Sequence, residues 1–444
     1  MSKRCLMQLT CSVSMVVLAS CASVSTHQNP SPTATGASVP SIPATTERVV
    51  VNGPPQSSDQ ALTLEPGRAG APARKVLSPR VSVDAATTVQ LSGLPDSKAD
   101  RNTMVAHFID VGQGDATLLE FECGAVLIDT GGENTSEVSG PERLEAYLQD
   151  FFVRRPDLMN TLNLVVLSHP HADHTAGVKK LVNPDSGITI RNVLDNGATA
   201  KGSGISGQKA LQKYARDNAQ VVGYVGLAEA DIPTVAGVTN KVIDPVKTGC
   251  NGAGGVDPKI TALWGRVDLD APWANDANND SVVLRVDFGS ASFLFMGDLE
   301  EEGIEALLDA YSPDPSILNG DVLKVGHHGS RNGTTADLVA AVTPKIAVAP
   351  AGDSALSEAT FSAFSFGHPH QNAVAMLSDT SHDVSLTRPQ KSVRVGVRGR
   401  NPSTGEGPQF TNISLTRAVY SNGWDGNIAI VAKHDGTLKV ESEF

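Results

Sequence analysis

From residue 104 onward, apolar residues gather in runs of strand length, each stopping at a turn rich in Gly, Asp or His. Met104 to Asp110 reads as a buried strand, Ala116 to Phe121 as a second and Ala125 to Ile128 as a third, with glycine turns between them. The spacing of Leu144, Tyr147, Leu148, Phe151 and Phe152 predicts a helix over residues 141–153. Leu162 to Leu167 and Ile190 to Leu194 read as further strands, and a helix is predicted near Gln208 to Asn218. Val282 to Phe288 and Ser292 to Met296 form a predicted hairpin. Asp321 to Val325 and Ile346 to Ala349 read as strands, with a helix between them at Ala336 to Val342. Ile413 to Phe444 alternates as an antiparallel meander that would complete a second sheet, with turns at Trp424-Asp425-Gly426 and His434-Asp435-Gly436. Strands and helices interleaved in this way predict an α/β body with its sheets inside.

Upstream of residue 104 that pattern fails. Residues 1–20 read as an export signal, with Lys3 and Arg4 at its start and an apolar stretch that includes Met15 to Leu18. Leu18-Ala19-Ser20-Cys21 resembles the lipobox of bacterial lipoproteins. The resemblance implies a lipidated Cys21 as the mature N-terminus and anchoring to the bacterial envelope, at the outer membrane or cell surface. A secreted or periplasmic protein is the alternative. Residues 21–103, rich in Ser, Thr, Pro and Ala and without helical or strand periodicity, read as a flexible linker. Short strands between residues 80 and 92 are placed to pack onto the body, which is read as residues 104–444.

Composition narrows the function. The 444-residue chain has a net charge of −13, which argues against coating nucleic acid through a broad basic face. Five cysteines without a CxxC pair exclude a zinc ribbon and a disulfide-dense miniature protein. Once the signal is removed, Cys21, Cys123 and Cys250 remain, and the sequence leaves open whether the last two pair.

The chemistry is concentrated after the Leu162 to Leu167 strand, in Ser168-His169-Pro170-His171-Ala172-Asp173-His174. Imidazole nitrogens and carboxylate oxygens are good ligands for zinc and similar divalent ions. In a strand-end loop running into a helix, His169 and His171 reach one ion while Asp173 and His174 face a second. Asp298, in Gly297-Asp298-Leu299-Glu300 after a predicted strand, is placed to bridge the two. A further predicted strand delivers Gly326-His327-His328-Gly329-Ser330.

This motif order resembles the metallo-β-lactamase superfamily. The words Asp110-Val111-Gly112-Gln113-Gly114-Asp115, Leu127-Ile128-Asp129-Thr130-Gly131, Asn279-Asp280-Ser281, Met296-Gly297-Asp298-Leu299-Glu300, Leu323-Lys324-Val325-Gly326-His327-His328-Gly329-Ser330 and Phe366-Gly367-His368-Pro369-His370 are similar to the soluble metallo-hydrolase domain of the DNA-uptake channel ComEC and its free-standing relatives. Over residues 104 to 444 the resemblance implies an αββα sandwich with two divalent metal ions, Zn or Mn, at the edge between the sheets. It implies His169 and His171 as ligands of the first ion, Asp173, His174 and His328 as ligands of the second, and Asp298 as the bridge. Asp129 would support the metal loop from behind. His328 is preferred to His327 as the ligand because it precedes Gly329. Asp173, Glu300 and His327 are the implied catalytic residues, the last two beside a reacting phosphate. The third histidine that many relatives give the first ion is missing, since no histidine occurs from residue 175 to 326. Asp195 and Asn196 fall at its place, which shifts selectivity toward harder ions.

The implied reaction is hydrolysis of a phosphodiester, in a small molecule or a nucleic acid. Lactam hydrolysis is disfavoured, because the commonest zinc lactamases have a Cys ligand where this chain has Asp298. Lys324, Arg331, Arg394, Arg398 and Arg400 are candidate phosphate contacts, and His368 a candidate substrate contact. Residues 197 to 277 read as an insertion that roofs the site. An esterase, lactonase or thioesterase of an envelope metabolite is the second hypothesis, and a non-catalytic metal-stabilised binding module the third. The sequence implies no protein partner.

Overall fold

Strands that alternate side chains between two apolar faces belong inside a layered protein. The strands here have that pattern: Leu118, Leu127, Val165 and Val193 are buried on one face of a sheet, and Leu119, Val126, Ile128, Leu164, Val166 and Leu194 on the other. The computed structural model describes residues 80–84, 88–92, 99–198, 202–232, 236–250, 254–266, 273, 275–378 and 384–444. The export signal, Cys21 and most of the linker lie outside these residues.

The first sheet runs, edge to edge, through Gly223–Gly226, Asn192–Asp195, Leu164–Val166, Gly124–Ile128, Thr117–Phe121, Thr103–Phe108, Ile428–Lys433, Leu438–Ser442, Arg80–Asp84 and Thr88–Ser92. The second runs through Lys259–Trp264, Val283–Phe288, Ala291–Phe295, Val322–Lys324, Ile346–Ala349 and Val419–Ser421. Their facing sides share one core, in which Phe108 stacks on Phe295 and Phe121 lies against Phe288. Outside the first sheet lie the helices Gly140–Arg154, which buries Leu144, Leu148, Phe151 and Phe152, and Ile205–Asp217, which buries Leu211 and Ala215. Helices Glu301–Ala310, Ala336–Val342 and Gln371–Ser378 bury Ile304, Leu307, Leu338, Val339, Val342, Val374 and Leu377 in the core built on the second sheet. The expected αββα sandwich is the fold.

Two boundaries differ from the sequence reading. Arg80–Asp84 pairs with Leu438–Ser442 and Thr88–Ser92 pairs with Arg80–Asp84, so the body takes in strands upstream of residue 104. The C-terminal segment is not one meander completing the second sheet. Val419–Ser421 joins that sheet, Gln409–Arg417 pairs with Thr387–Arg398 in a separate ribbon, and the hairpin Ile428–Lys433 with Leu438–Ser442 crosses to the first sheet beside Thr103–Phe108. Alternation fixes which residues point inward but not which sheet a strand joins. Cys123 and Cys250 are joined in a disulfide, 127 residues apart in sequence. Closing a loop of that length restricts the unfolded chain by up to about 5 kcal/mol in the chain-entropy account.

The crossing is pinned by a buried ion pair. Asp425 Oδ1 lies 2.6 Å from Arg388 Nη2 and Oδ2 3.0 Å from Nη1, while Lys391 Nζ is 2.8 Å from Oδ1. The Arg388 guanidinium also lies 4.2 Å from the centre of the Tyr420 ring. Burial opposes ionisation of Asp425, but Arg388 and Lys391 prevail and hold its pKa below the ordinary 3.8. A carboxylate depressed in this way stabilises the fold above pH 3.8, and that stability is lost as the pH falls through the lower folded value. Asp425→Asn, which leaves Arg388 buried beside a neutral group, is expected to cost about 3–5 kcal/mol at neutral pH, read as a shift in the urea midpoint. The variant is also expected to show a shallower fall in midpoint than the parent below about pH 4.

Candidate metal centre

Parallel strands of both sheets carry their C-terminal ends to one edge. In the first sheet Gly124–Ile128, Leu164–Val166 and Asn192–Asp195 are parallel, and in the second so are Ala291–Phe295, Val322–Lys324 and Ile346–Ala349. Loops leaving such ends are where α/β sheets place ligands. Here they hold Asp129, Ser168 to His174, Asp298, His327 and His328. Gly114 lets the Val111 to Asp115 turn lie against them: its φ is +147°, and a Cβ there would come within 2.5 Å of the Asp173 carbonyl.

Asp298 Oδ2 is the point of convergence. His174 Nε2 lies 3.0 Å from it, His328 Nε2 3.1 Å and His169 Nε2 3.9 Å. Asp173 Oδ2 is 3.2 Å from His328 Nε2, and His171 Nδ1 is 3.0 Å from His169 Nε2. Neighbours fix which nitrogens carry protons. His328 Nδ1 donates to the Pro350 carbonyl at 2.7 Å, and His174 Nδ1 to Asp129 Oδ2 at 2.8 Å. Ser168 Oγ donates to Asp129 Oδ2 at 2.7 Å and so accepts from His169 Nδ1 at 3.1 Å. The Nε2 atoms of all three rings therefore face the carboxylate, protonated where the ring is charged and free to bind once a metal cation replaces that proton.

Lone pairs brought together in a buried site repel unless a cation lies among them. Asp173, His174, Asp298 and His328 are all buried and offer ligand atoms within 4.8 Å of one another, a donor set suited to one tetrahedral divalent ion. Electrostatics point the same way. Burial lowers the basicity of His328, yet Asp298 and Asp173 push its pKa up to about 9. Burial opposes ionisation of Asp173, yet a hydrogen bond from His328 and the charges of His174 and His328 hold its pKa below the carboxylate range. The pocket demands positive charge. His169 lies beside this set, 3.9 Å from the same Asp298 oxygen, and carries His171 with it at 3.0 Å.

A family model for the metallo-beta-lactamase superfamily matches residues 109–353. The chain belongs to this superfamily. Its members are metal-dependent hydrolases, and the four buried ligands fit the divalent ions that the fold implies. ComE operon protein 3 of Bacillus subtilis is 27% identical over 302 residues, 66% of this chain and 33% of that protein. Competence protein ComA of Neisseria gonorrhoeae is 42% identical over 77 residues, 17% of this chain and 11% of that protein. The chain thus spans a third or less of these relatives' length. Among solved structures, the metallo-beta-lactamase fold protein YhfI of Bacillus subtilis matches at 13% identity and a TM-score of 0.32, covering 56% of this chain and 85% of YhfI.

The superfamily motifs place most of the expected residues together. His169, His171, Asp173, His174, Asp298 and His328 line one centre, and Asp129 supports it from behind. Asp195 does not join them. Its Oδ1 accepts from the Gly197 amide and the Tyr224 hydroxyl, and its Oδ2 from Gln212, so both oxygens are spent inside the insertion. Asn196 is likewise tied to Asp280, Ala198 and Gln208. His327 and Glu300 form a pair at the rim: Nδ1 is 2.8 Å from Glu300 Oε1, and Nε2 is 4.0 Å from Asp298 Oδ2. Asn278 donates to the same Glu300 oxygen. Burial opposes ionisation of Glu300, but His327 and Asn278 keep its pKa low. Both histidines of this turn adopt left-handed backbone, with φ of 45° and 54°, a strain of about 1–3 kcal/mol each that commonly marks functional sites.

His368 is at the mouth, its ring centre 5.6 Å from that of His327, with the half-exposed Phe366 stacked on its other side. The proposed phosphate contacts fare worse. Lys324 is buried and bonded to protein oxygens. Arg394 lies over Phe410, Arg398 pairs with Glu406, and Arg400 bonds Ser365 and the Glu358 carbonyl. Of the five, Arg331 and Arg400 are the exposed ones, and Arg400 is tied down by those two hydrogen bonds. Sequence reasoning passed over Ser168 and Ser281, which orient His169 and the Asp298 backbone; Ser168 directly precedes a ligand motif, whereas Ser281 is 17 residues from Asp298 and carries no such local signal. Asp129→Asn is expected to weaken divalent-metal affinity about 10- to 100-fold by loosening the His174 ring, measured by chelator competition with zinc.

Proposed function

We propose that this protein is a phosphodiesterase of the bacterial envelope that uses two divalent ions, Zn or Mn, held by His169 and His171 on one side and Asp173, His174 and His328 on the other. The observation that carries the reading is the single oxygen, Asp298 Oδ2, facing both ligand sets. When bound, such ions supply Lewis acidity, acidifying water and offsetting charge on phosphoryl oxygens. The chain's own residues do the rest. Water adds to phosphorus, one ester P–O bond breaks, and His327 Nε2 gives its proton to the departing oxygen. Glu300 Oε1, 2.8 Å from Nδ1, holds the imidazole in position. Asp173, ionised beside His328, orients the attacking water by accepting its hydrogen bond, and the proton released from that water passes to solvent.

The likeness to competence proteins favours nucleic acid among phosphodiesters, and the net charge of −13 favours transient contact over tight binding. The Cys123–Cys250 disulfide supports an oxidising compartment, in keeping with export and a lipidated Cys21. No helix among the described residues is long and apolar enough to cross a membrane.

With Mn²⁺ or Zn²⁺ added, the protein is expected to hydrolyse bis(p-nitrophenyl) phosphate and single-stranded DNA. His327→Ala is expected to lower kcat by about 10²- to 10⁴-fold with bound metal unchanged. Turnover of p-nitrophenyl acetate or a thioester, but of neither phosphodiester, would transfer the site to the esterase reading. Absence of any turnover with metal bound leaves a binding module. In cells, labelled palmitate is expected to enter the parent protein and not Cys21→Ser; equal labelling overturns the anchor.

A further inference from the structure

Lys324 is the residue that the hydrolytic mechanism leaves unused. It sits on the strand Val322–Lys324 directly before the histidine turn, and its side chain is 1% exposed. A buried ammonium is costly unless oxygens replace its water. Three do so here: the Gly297 carbonyl accepts at 2.5 Å, Asp115 Oδ2 lies at 3.0 Å and Asp298 Oδ1 at 3.6 Å. Among the described residues, Asp298 Oδ1 is buried and accepts no hydrogen bond, and this ammonium is the charge it faces. The other oxygen, Oδ2, faces the histidines.

We propose that Lys324 is a positioning residue for the metal centre: anchored by Asp115 and Gly297, it holds the Asp298 carboxylate turned so that Oδ2 alone meets both ligand sets. A carboxylate on one freely rotating bond could otherwise present one oxygen to each set, which changes the spacing the sets require. Lys324 prevents that by occupying the side of Oδ1. It also holds the Gly297 carbonyl, fixing the loop on which Asp298 stands. The ammonium faces the buried carboxylates of Asp115 and Asp298, while Asp129 and Asp173 face the histidines. The remaining negative charge is left for divalent ions.

The inference rests on the metal-centre reading, and cobalt binding separates the two. Parent protein, Lys324→Met, Lys324→Arg and Asp115→Asn are each titrated with Co²⁺ alone, following visible absorption and cobalt retained on equilibrium dialysis. Positioning predicts about tenfold weaker cobalt binding and an altered absorption band in Lys324→Met, with partial recovery in Lys324→Arg. Simple removal of a repelling charge predicts the opposite, tighter binding. Unchanged or tighter binding in folded Lys324→Met overturns the proposal, as does a lowered Tm with an unmoved spectrum. If Lys324→Met does not fold, Asp115→Asn carries the test: it removes one anchor of the ammonium and is expected to weaken cobalt binding in the same sense, and parent-like binding overturns the proposal. A parent protein that takes up no cobalt overturns the metal-centre reading itself.

Discussion

The structure turns on a buried carboxylate oxygen surrounded by lone pairs. Asp298 Oδ2 and the Nε2 atoms of His174 and His328 lie within about one hydrogen-bond length of one another, each ring has spent its Nδ1 proton elsewhere, and the Nε2 side is held in charge balance by a proton or a metal cation. In a pocket closed to water this is unfavourable by itself and becomes favourable when a cation enters. The fold therefore has to supply rigidity enough to hold groups that repel one another. It does so from outside the centre: Asp129 and Ser168 behind His174 and His169, Pro350 behind His328, Ser281 behind the Asp298 backbone. These partners come from strand ends of both sheets, which makes the sandwich core a precondition of the site.

The same arrangement explains where strain is tolerated. His327 and His328 both occupy left-handed backbone, a conformation that side chains other than glycine adopt at a cost. The turn is clamped nonetheless, because Gly326 packs against the Leu299 and Gly333 carbonyls with no room for a side chain. Two successive residues then point in different directions: His328 inward to the carboxylates, His327 outward to Glu300 and the rim. An extended chain would also send successive side chains apart, but it could not reverse direction within the same few residues.

Much of this was legible in the sequence, for definite reasons. Apolar runs of four to seven residues stopping at Asp129, Ser168, Asp298 and His327 marked strand ends, and functional residues in α/β proteins gather there. The His169 to His174 cluster carried its own chemistry. Asp195 misled because position along the chain was its only credential; the structure shows that a strand-end carboxylate is a ligand only when local donors leave it free, and Gly197, Gln212 and Tyr224 do not. Lys324 misled in the opposite direction. Basic residues are usually solvated, but one set between Leu323 and Val325 in a central strand has no route to water. The C-terminal strands were readable as strands and not as members of a particular sheet, since pairing across more than 300 residues leaves no local mark.

The two ligand sets are unequal, and the inequality has a structural origin. Asp173, His174, His328 and Asp298 offer four converging ligand atoms within the described residues, whereas His169 reaches only Asp298, at 3.9 Å, and His171 only His169. The Asp195 to Ala198 loop, expected from the sequence to stand in for a third imidazole, has its polar groups bonded to the insertion that follows, through Gln208, Gln212 and Tyr224. The polar groups at the end of the strand Asn192–Asp195 are thereby committed to holding the insertion against the sheet edge, and the converging ligand atoms are left to Asp173, His174, His328 and Asp298.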